Sequence, residues 1–227
     1  MNNNIIQHIM SQGEMNGFKG STDIHHGPDT TKDSPIDKRV SVREFLPTAI
    51  DKKDLESIVD AGTRAPSSKN RQPWKIWVLG HEKASQMIEL MTAEISKMIS
   101  ECNIDVLRND LVSALRTMEI MRQVPNIVVV GYVDRRPYRY VKEIGDGITD
   151  RQVVDVLSIG ACVENMVLRA TELGIDSLWI GDHLYATEAL NGMPWTEGRI
   201  IAMIAFGYRR QQDVKRSDRH DDRVIWL

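Results

Sequence analysis

Two short polar segments carry side chains whose types and spacing suit a phosphate group and a flat polar ring. In the first, "RVSVR", Arg39, Ser41 and Arg43 alternate with Val40 and Val42. In an extended backbone this alternation directs two guanidinium groups and a hydroxyl to the same side. Arginine forms bidentate, charge-assisted hydrogen bonds with phosphate, and the serine hydroxyl adds a third contact. The same spacing also fits a solvated basic edge, so the segment alone leaves both interpretations open.

The second segment, "APSSKNRQPW" at 65–74, contains no acid, histidine or cysteine. Its two prolines restrict the backbone at both ends. Its polar side chains offer donors and acceptors that match a heteroaromatic ring with several carbonyl and imide groups. These residues are Ser67, Ser68, Asn70 and Gln72. A turn whose side chains satisfy the end of a helix and the start of a strand is the simpler interpretation.

The rest of the sequence shows no recognisable side-chain catalyst. It has neither a G-x-S-x-G elbow nor a G-x-x-x-x-G-K-[ST] loop, which argues against an α/β-hydrolase and a nucleoside triphosphatase. The segment "GDGITD" at 145–150 lacks the third glycine of a dinucleotide fingerprint. Cys162 lies in the most apolar predicted helix, where a structural role is favoured over a nucleophilic one. We therefore expect a bound cofactor to supply the chemistry, and no catalytic side chain is assigned.

Alternating strands and helices must position these two segments. Apolar runs predict strands at 74–80, 126–133, 176–181 and 199–207, and the almost purely apolar second run should be central and covered on both faces. Asp51 is the predicted N-cap of a helix that begins after Pro47. Methionines and leucines at helical spacing predict two amphipathic helices, between 87 and 99 and between 107 and 121, with the methionines in the core.

The segment 151–173 is apolar nearly all round, so we expect a helix that is buried on all sides. Small residues at its centre, among them Ser158 and Gly160, permit close approach by another helix, which a second subunit could supply. A short helix is expected at 186–192, and the segment 134–150 is expected to form a loop.

Composition narrows the class of protein. The chain has 227 residues, 41% of them hydrophobic, and a formal net charge of -3 from 29 basic and 32 acidic residues. This charge gives no reason to expect nucleic acid or an acidic membrane as a partner. Cys102 and Cys162 do not have metal-ligand spacing, and the adjacent His25 and His26 cannot share a helical face, so no metal site is expected. We expect a cytoplasmic chain with a mobile or partner-wrapping extension at 1–34 and one domain at 35–227.

In order and spacing, four segments resemble the nitroreductase family of FMN-dependent oxidoreductases. They are "RVSVREF", "AGTRAPSSKNRQPWKIWVL", "LSIGACVENMVLRATELGIDSLWIG" and "AFGYRR". The resemblance covers about 36–227. It implies an α/β (α+β) fold in which helices flank a central, mixed but mostly antiparallel sheet. It also implies an intertwined homodimer that binds two FMN molecules at the subunit interface.

The resemblance also implies roles for particular residues. Arg39, Val40, Ser41 and Arg43 would lie at the phosphate and ribityl end of FMN. The loop residues Pro66, Ser67, Ser68 and Asn70 of the partner subunit would approach the isoalloxazine ring, with Gln72 as support. The turn formed by Trp179, Ile180 and Gly181 would lie along one ring face. Arg216, with Lys215 beside it, would return to the phosphate, although the tail lacks the proline-rich spacing of relatives.

The activity implied is ping-pong hydride transfer from NADH or NADPH through flavin N5 to an electron-poor acceptor, such as a nitroaromatic compound or a quinone. Alternatives within the family are dehydrogenation, reductive dehalogenation and breakdown of the flavin itself. A non-enzymatic flavin carrier is a third interpretation. One feature departs from the family pattern, and the role of one residue stays open. The extension at 1–34 is longer than the family core requires, and His183 could face the pocket.

Overall fold

The computed structural model describes residues 34–134, 141–210 and 225, and all structural statements concern these residues. The helices are α1 (Pro35–Lys38), α2 (Lys52–Thr63), α3 (His81–Glu101), α4 (Asp105–Met121), α5 (Asp150–Glu172) and α6 (Thr187–Asn191). The strands are β1 (Trp74–Leu79), β2 (Asn126–Tyr132), β3 (Glu143–Gly145), β4 (Ile148–Thr149), β5 (Asp176–Ile180) and β6 (Arg199–Gly207). Two 3₁₀ turns, Ser68–Asn70 and Asp182–Ala186, complete the described elements.

The main sheet has four strands in the order β1-β2-β6-β5, and all its strand pairs are antiparallel. A single parallel bridge between Ser41 and Ser177 adds the N-terminal segment to the β5 edge. The predicted class, a mixed and mostly antiparallel sheet flanked by helices, is confirmed. The predicted central strand is β2, which has a partner on each side and buried residues from 127 to 131.

Alternation along the central strands divides the core between two faces of the sheet. Ile127 and Val129 of β2 belong to one cluster of buried side chains, whereas Val128 and Val130 belong to the other. The first cluster contains the methionines of α3 and α4, which confirms their prediction as core residues. The second cluster contains Ile58 of α2 and the buried residues of α5. Each face is therefore covered by a pair of helices.

Helix α2 packs closely against α5 because one of its residues has no side chain. A Cβ atom built on Gly62 would lie only 2.6 Å from Cγ of Met166. The Nδ2 group of Asn165 also donates to the carbonyl of Ala61 at 3.1 Å. The predicted N-cap of α2 is confirmed, since the Asp51 carboxylate accepts from the backbone N–H of Lys53 at 2.8 Å.

The structure corrects the expectation that the apolar helix at 151–173 is buried on all sides. One face of α5 packs on the sheet and on α2, but Val153, Val156 and Leu157 are 39%, 44% and 68% exposed. Gly160 lies one turn beyond Val156 and Leu157, and a Cβ built there would have no atom within 4 Å. Among the residues that the structure describes, none covers this apolar stripe of α5.

The segment 134–150 was predicted to be a loop, but part of it forms two short strands. Strands β3 and β4 form a hairpin whose turn contains Asp146 and Gly147, both with positive φ. An Asp-Gly pair favours the tight turns of β-hairpins, in which positive φ is required. The part of the predicted loop at 135–140 lies outside the described residues. Within 34–134 and 141–210, no helix is long and apolar enough to cross a membrane, and no group of three or more potential ligands could hold a metal ion.

Candidate functional site

The arginine-serine segment lies along the β5 edge of the sheet. The backbone N–H of Val42 donates to the carbonyl of Ser177 at 3.0 Å, and the Val42 side chain is buried in the core. Arg43 is exposed, and its guanidinium donates to the carbonyl of Ser41 at 3.3 Å. Val40 packs against the core, so the valines face inward. The predicted alternation is therefore clear for Val42 and Arg43, whereas Arg39, Val40 and Ser41 are all half-buried.

The loop at 65–73 has an unusual backbone that its own side chains help to hold. Lys69, Asn70 and Gln72 have φ values of 52°, 51° and 50°, which non-glycine residues rarely adopt. The backbone N–H of Gln72 donates to Oγ of Ser67 at 3.0 Å, and its Nε2 donates to Oδ1 of Asn70 at 2.9 Å. The second bond turns the Asn70 oxygen toward Gln72, so the Nδ2 donors of Asn70 are directed elsewhere.

A charge cluster under this loop, buried except for the 44% exposed Asp134, was not recognised in the sequence. Nε of Arg71 donates to Oδ1 of Asp155 at 3.3 Å, and the two side chains are 7% and 0% exposed. Asp134 and Arg151 complete the cluster through contacts with these two residues. Removing one partner from a buried ion pair typically costs about 3–5 kcal/mol. The available signal was an aspartate on the buried face of an apolar helix, since such a carboxylate requires a cation.

The turn after β5 offers an open surface. Trp179 is 45% exposed, whereas Ile180 is buried. Gly181 is exposed, and a Cβ built on it would have no atom within 4 Å. Nothing in the described chain therefore requires a glycine at this position, which leaves room for a ligand against the backbone.

His183 is buried beneath this turn, so it does not face an open pocket. A nitrogen of its ring, Nδ1, lies 3.0 Å from the carbonyl oxygen of Ile180. Burial lowers the pKa of His183, and this effect outweighs the opposing influence of the nearby backbone of Ile180 and Ile201 and of the charge of Asp182. The imidazole is thus a neutral group that ties the turn to the core.

The structural interpretation of Cys162 is supported by its surroundings. Its side chain is fully buried in the cluster between α5 and the sheet, and burial raises the pKa of the thiol to about 12. A thiol with this pKa stays protonated near neutral pH and is a poor nucleophile.

The two polar segments do not meet within one chain. The segment at 39–43 borders β5, while the loop at 65–73 leads directly into β1 at the opposite edge of the sheet. Three strand spacings separate these edges, or roughly 14 Å. The described cavities, of about 650 and 340 Å³, are lined by other residues. Arg216 and Lys215 lie outside the described residues.

A helix-flanked antiparallel sheet with these segments on its two edges has the nitroreductase fold. The model of the nitroreductase family matches residues 36–208, and the chain belongs to this family. A relative from Bacillus subtilis (strain 168), called "Putative NAD(P)H nitroreductase YfkO", is 25% identical over 83% of this chain and 94% of its own.

Two crystal structures show the same fold. A BluB-like flavoprotein from Clostridium difficile 630 is 24% identical, with a TM-score of 0.68 over 85% of this chain and 97% of its own. A nitroreductase with bound FMN from Desulfitobacterium hafniense DCB-2 is 20% identical, with a TM-score of 0.64 over 85% of this chain and 96% of its own.

Proposed function

We propose that this protein is an FMN-dependent NAD(P)H oxidoreductase that acts as a homodimer. One observation carries the proposal: the two segments expected to hold the cofactor expose Arg43 and Asn70, but they lie on opposite edges of the sheet. A second copy of the chain would bring an arginine segment and a loop together. The name of the Bacillus subtilis relative supports NAD(P)H as the reductant, and the Desulfitobacterium hafniense structure supports FMN as a ligand of this fold.

The arginine segment would hold the phosphate end of the cofactor. Arg39 and Arg43 supply two positive charges at the sheet edge, and the Ser41 hydroxyl adds a hydrogen bond. Because Val40 and Val42 pack against the core, the backbone that carries these groups is anchored before binding. Arg216 stays a predicted further contact.

The loop would orient the ring from the other chain. Ser67 and Ser68 are half-buried, and Asn70 is exposed with its amide oriented by Gln72. This orientation offers Nδ2 donors to ring carbonyl groups. Pro66 restricts the entry of the loop, and the turn at Trp179, Ile180 and Gly181 would border one face of the ring, where Gly181 leaves space.

Bound FMN would accept a hydride from NADH or NADPH and pass it to an electron-poor acceptor, such as a nitroaromatic compound or a quinone. In this proposal the described residues would hold and orient the cofactor, and the hydride step needs no side-chain acid or base. We propose that reductant and acceptor occupy the same open face in turn, which gives ping-pong kinetics.

The exposed stripe of α5 supports the dimer. Val153, Val156 and Leu157 form an apolar face that the described part of the chain leaves exposed, and Gly160 permits close contact. The cytoplasmic location and the extension at 1–34 stay predictions from the sequence.

The test is an absorbance scan of the purified protein, followed by anaerobic titration with NADH and NADPH and reoxidation by a nitroaromatic compound. We expect a flavin spectrum that either nicotinamide bleaches and the acceptor restores. A colourless protein that FMN cannot reconstitute would contradict the cofactor. Bound flavin that neither nicotinamide reduces would contradict the reductase activity and favour another redox reaction on the same fold.

A further inference from the structure

We propose that the buried pair of Arg71 and Asp155 positions the cofactor-binding loop, so that helix α5 determines where Asn70 and Ser68 present their polar groups. Arg71 and Asp155 are positioning residues, since both are buried and act through the loop. The role of the loop in this inference rests on the proposed FMN site. That the ion pair holds the loop in place does not depend on FMN.

The first argument is the geometry of the contact. Arg71 reaches Asp155 with two nitrogens, Nε to Oδ1 at 3.3 Å and Nη2 to Oδ2 at 3.5 Å. Nη2 also lies 3.3 Å from Oδ1 of Asp134, which is two residues beyond the end of β2. A planar guanidinium with several fixed partners has a defined orientation as well as a defined position. The Arg71 side chain thus joins the loop to α5 and to the sheet.

The second argument is the charge balance of the cluster. Asp155 has no exposed surface, and its Oδ2 lies 3.9 Å from Nε of Arg151 as well as near Arg71. Asp134 also contacts both arginines. Two positive and two negative charges therefore offset each other. Loss of the Asp155 charge would leave two neighbouring guanidiniums with one carboxylate between them, which disfavours the burial of Arg71.

The third argument is the place of Arg71 within the loop. Its neighbours on both sides, Asn70 and Gln72, have positive φ, as does Lys69. Such conformations persist in lysine and glutamine only when the surrounding structure holds them. The backbone N–H of Ser68 donates to Oγ of Ser158 at 3.4 Å, which is a second attachment one turn further along α5. Both attachments fix the loop to the same helix.

This helix also carries the proposed dimer face. Val156 and Leu157 directly follow Asp155 and are exposed. A loop attached to Asp155 and Ser158 is therefore held in a fixed position relative to a second chain that packs on this face. The pair of Arg71 and Asp155 would therefore link the conformation of the loop to the dimer contact. The same contact brings the arginine segment of the second chain to the loop.

The test compares Asp155→Asn with Glu172→Gln. Each substitution removes the charge of a carboxylate on α5 that pairs with an arginine. The pair of Arg71 and Asp155 is buried, whereas the pair of Arg169 and Glu172 is exposed. We expect Asp155→Asn to speed amide hydrogen exchange at 68–72 in the cofactor-free protein by about tenfold or more. It should also weaken FMN binding by about tenfold or more, because the loop donors are no longer held in place. Glu172→Gln should change neither quantity.

A double variant, Arg71→Met with Asp155→Leu, keeps the test decisive if Asp155→Asn fails to fold. Removing both charges leaves no unpaired ion, so the chain should fold, while exchange at 68–72 rises and FMN binding weakens. Wild-type exchange and FMN affinity in a folded variant would overturn the proposal, as would a lower melting temperature with unchanged affinity. If the wild-type chain binds no FMN, the proposed function fails, and hydrogen exchange still decides whether the pair holds the loop.

Discussion

In the proposed site, Arg39 and Arg43 bind the phosphate of FMN. Their loss should therefore affect FMN binding more than binding of riboflavin, which lacks the phosphate. We expect Arg39→Ala or Arg43→Ala to weaken FMN binding by about 10- to 100-fold, the usual range for a hydrogen bond to a charged group. Riboflavin affinity should hardly change. Fluorescence titration of the cofactor-free protein with both flavins measures the two constants.

Lys97→Ala is a suitable control for this experiment, because Lys97 is an exposed cation of α3 far along the chain from the proposed phosphate site. It should leave both affinities unchanged. An equal loss of FMN and riboflavin affinity in the arginine variants would contradict the phosphate assignment and indicate damage to the ring site instead.

His183 should make the stability of the protein depend on pH. Its folded pKa lies below the ordinary value of 6.5, mainly because of burial, so the unfolded chain binds a proton more readily than the folded chain. The stabilisation is complete above the unfolded pKa and is lost as pH falls below about 6.5, by at most about 1.4 kcal/mol per pH unit. Urea unfolding between pH 5 and 8 would measure it.

The matched variant is His183→Gln, which cannot titrate in this range. We expect the stability difference between the wild type and this variant to be constant above about pH 7.5 and to shrink as pH falls. A difference that grows on acidification would mean that the imidazole is charged in the folded state.

At the scale of single residues, the sequence predicted which side chains are exposed better than which side chains contact each other. The alternation in "RVSVR" correctly predicted a buried Val42 next to an exposed Arg43. The contact of Arg71 with Asp155 could not be read in the same way, because 84 positions separate the two residues along the chain. No local pattern connects two such positions.

Among the elements, α5 carries the clearest prediction. A Leu side chain at Gly160 finds open space in the single chain, where it also favours the helix more than glycine does. In a dimer it would keep the two helices apart. We expect Gly160→Leu to stay folded by circular dichroism but to shift the protein from dimer to monomer in size-exclusion chromatography with light scattering.

Arg169→Leu is the control on the same helix. Arg169 is exposed on a different side of α5 from Gly160, given 3.6 residues per turn. The variant should stay dimeric. A Gly160→Leu protein that remains a dimer at micromolar concentration would show that this face is not the interface.

The strands and long helices were predictable because their apolar periods are strong and uninterrupted. Strands β1, β2, β5 and β6 begin and end within one residue of the predicted runs. The hairpin of β3 and β4 was missed although its Asp146-Gly147 turn is a hairpin signal. Its strands are short and largely exposed, so they show no core-facing alternation.

For the whole molecule, the opposite positions of the two segments lead to a complementation experiment. One variant carries Arg39→Ala with Arg43→Ala, and the other carries Asn70→Ala. Each should bind FMN poorly by itself. In a mixed dimer, one site combines the intact arginines of one chain with the intact loop of the other. Random mixing after co-refolding should therefore restore about a quarter of the sites.

FMN titration of the mixed sample would measure the restored fraction, and each variant refolded alone is the control. No restoration in a sample that contains mixed dimers would place both halves of the site on one chain and contradict the proposed arrangement.

The sequence by itself determined the four strands of the main sheet, the long helices and the family, because these depend on local periodicity and on motifs within short segments. It also indicated that a cofactor rather than a side chain supplies the chemistry. Only the tertiary structure decided that the two polar segments lie on opposite edges of the sheet and that α5 exposes one apolar face. Only the tertiary structure joined Arg71 to Asp155. The physical reason is that strand order and buried ion pairs depend on contacts between distant segments, which no single segment of the chain encodes.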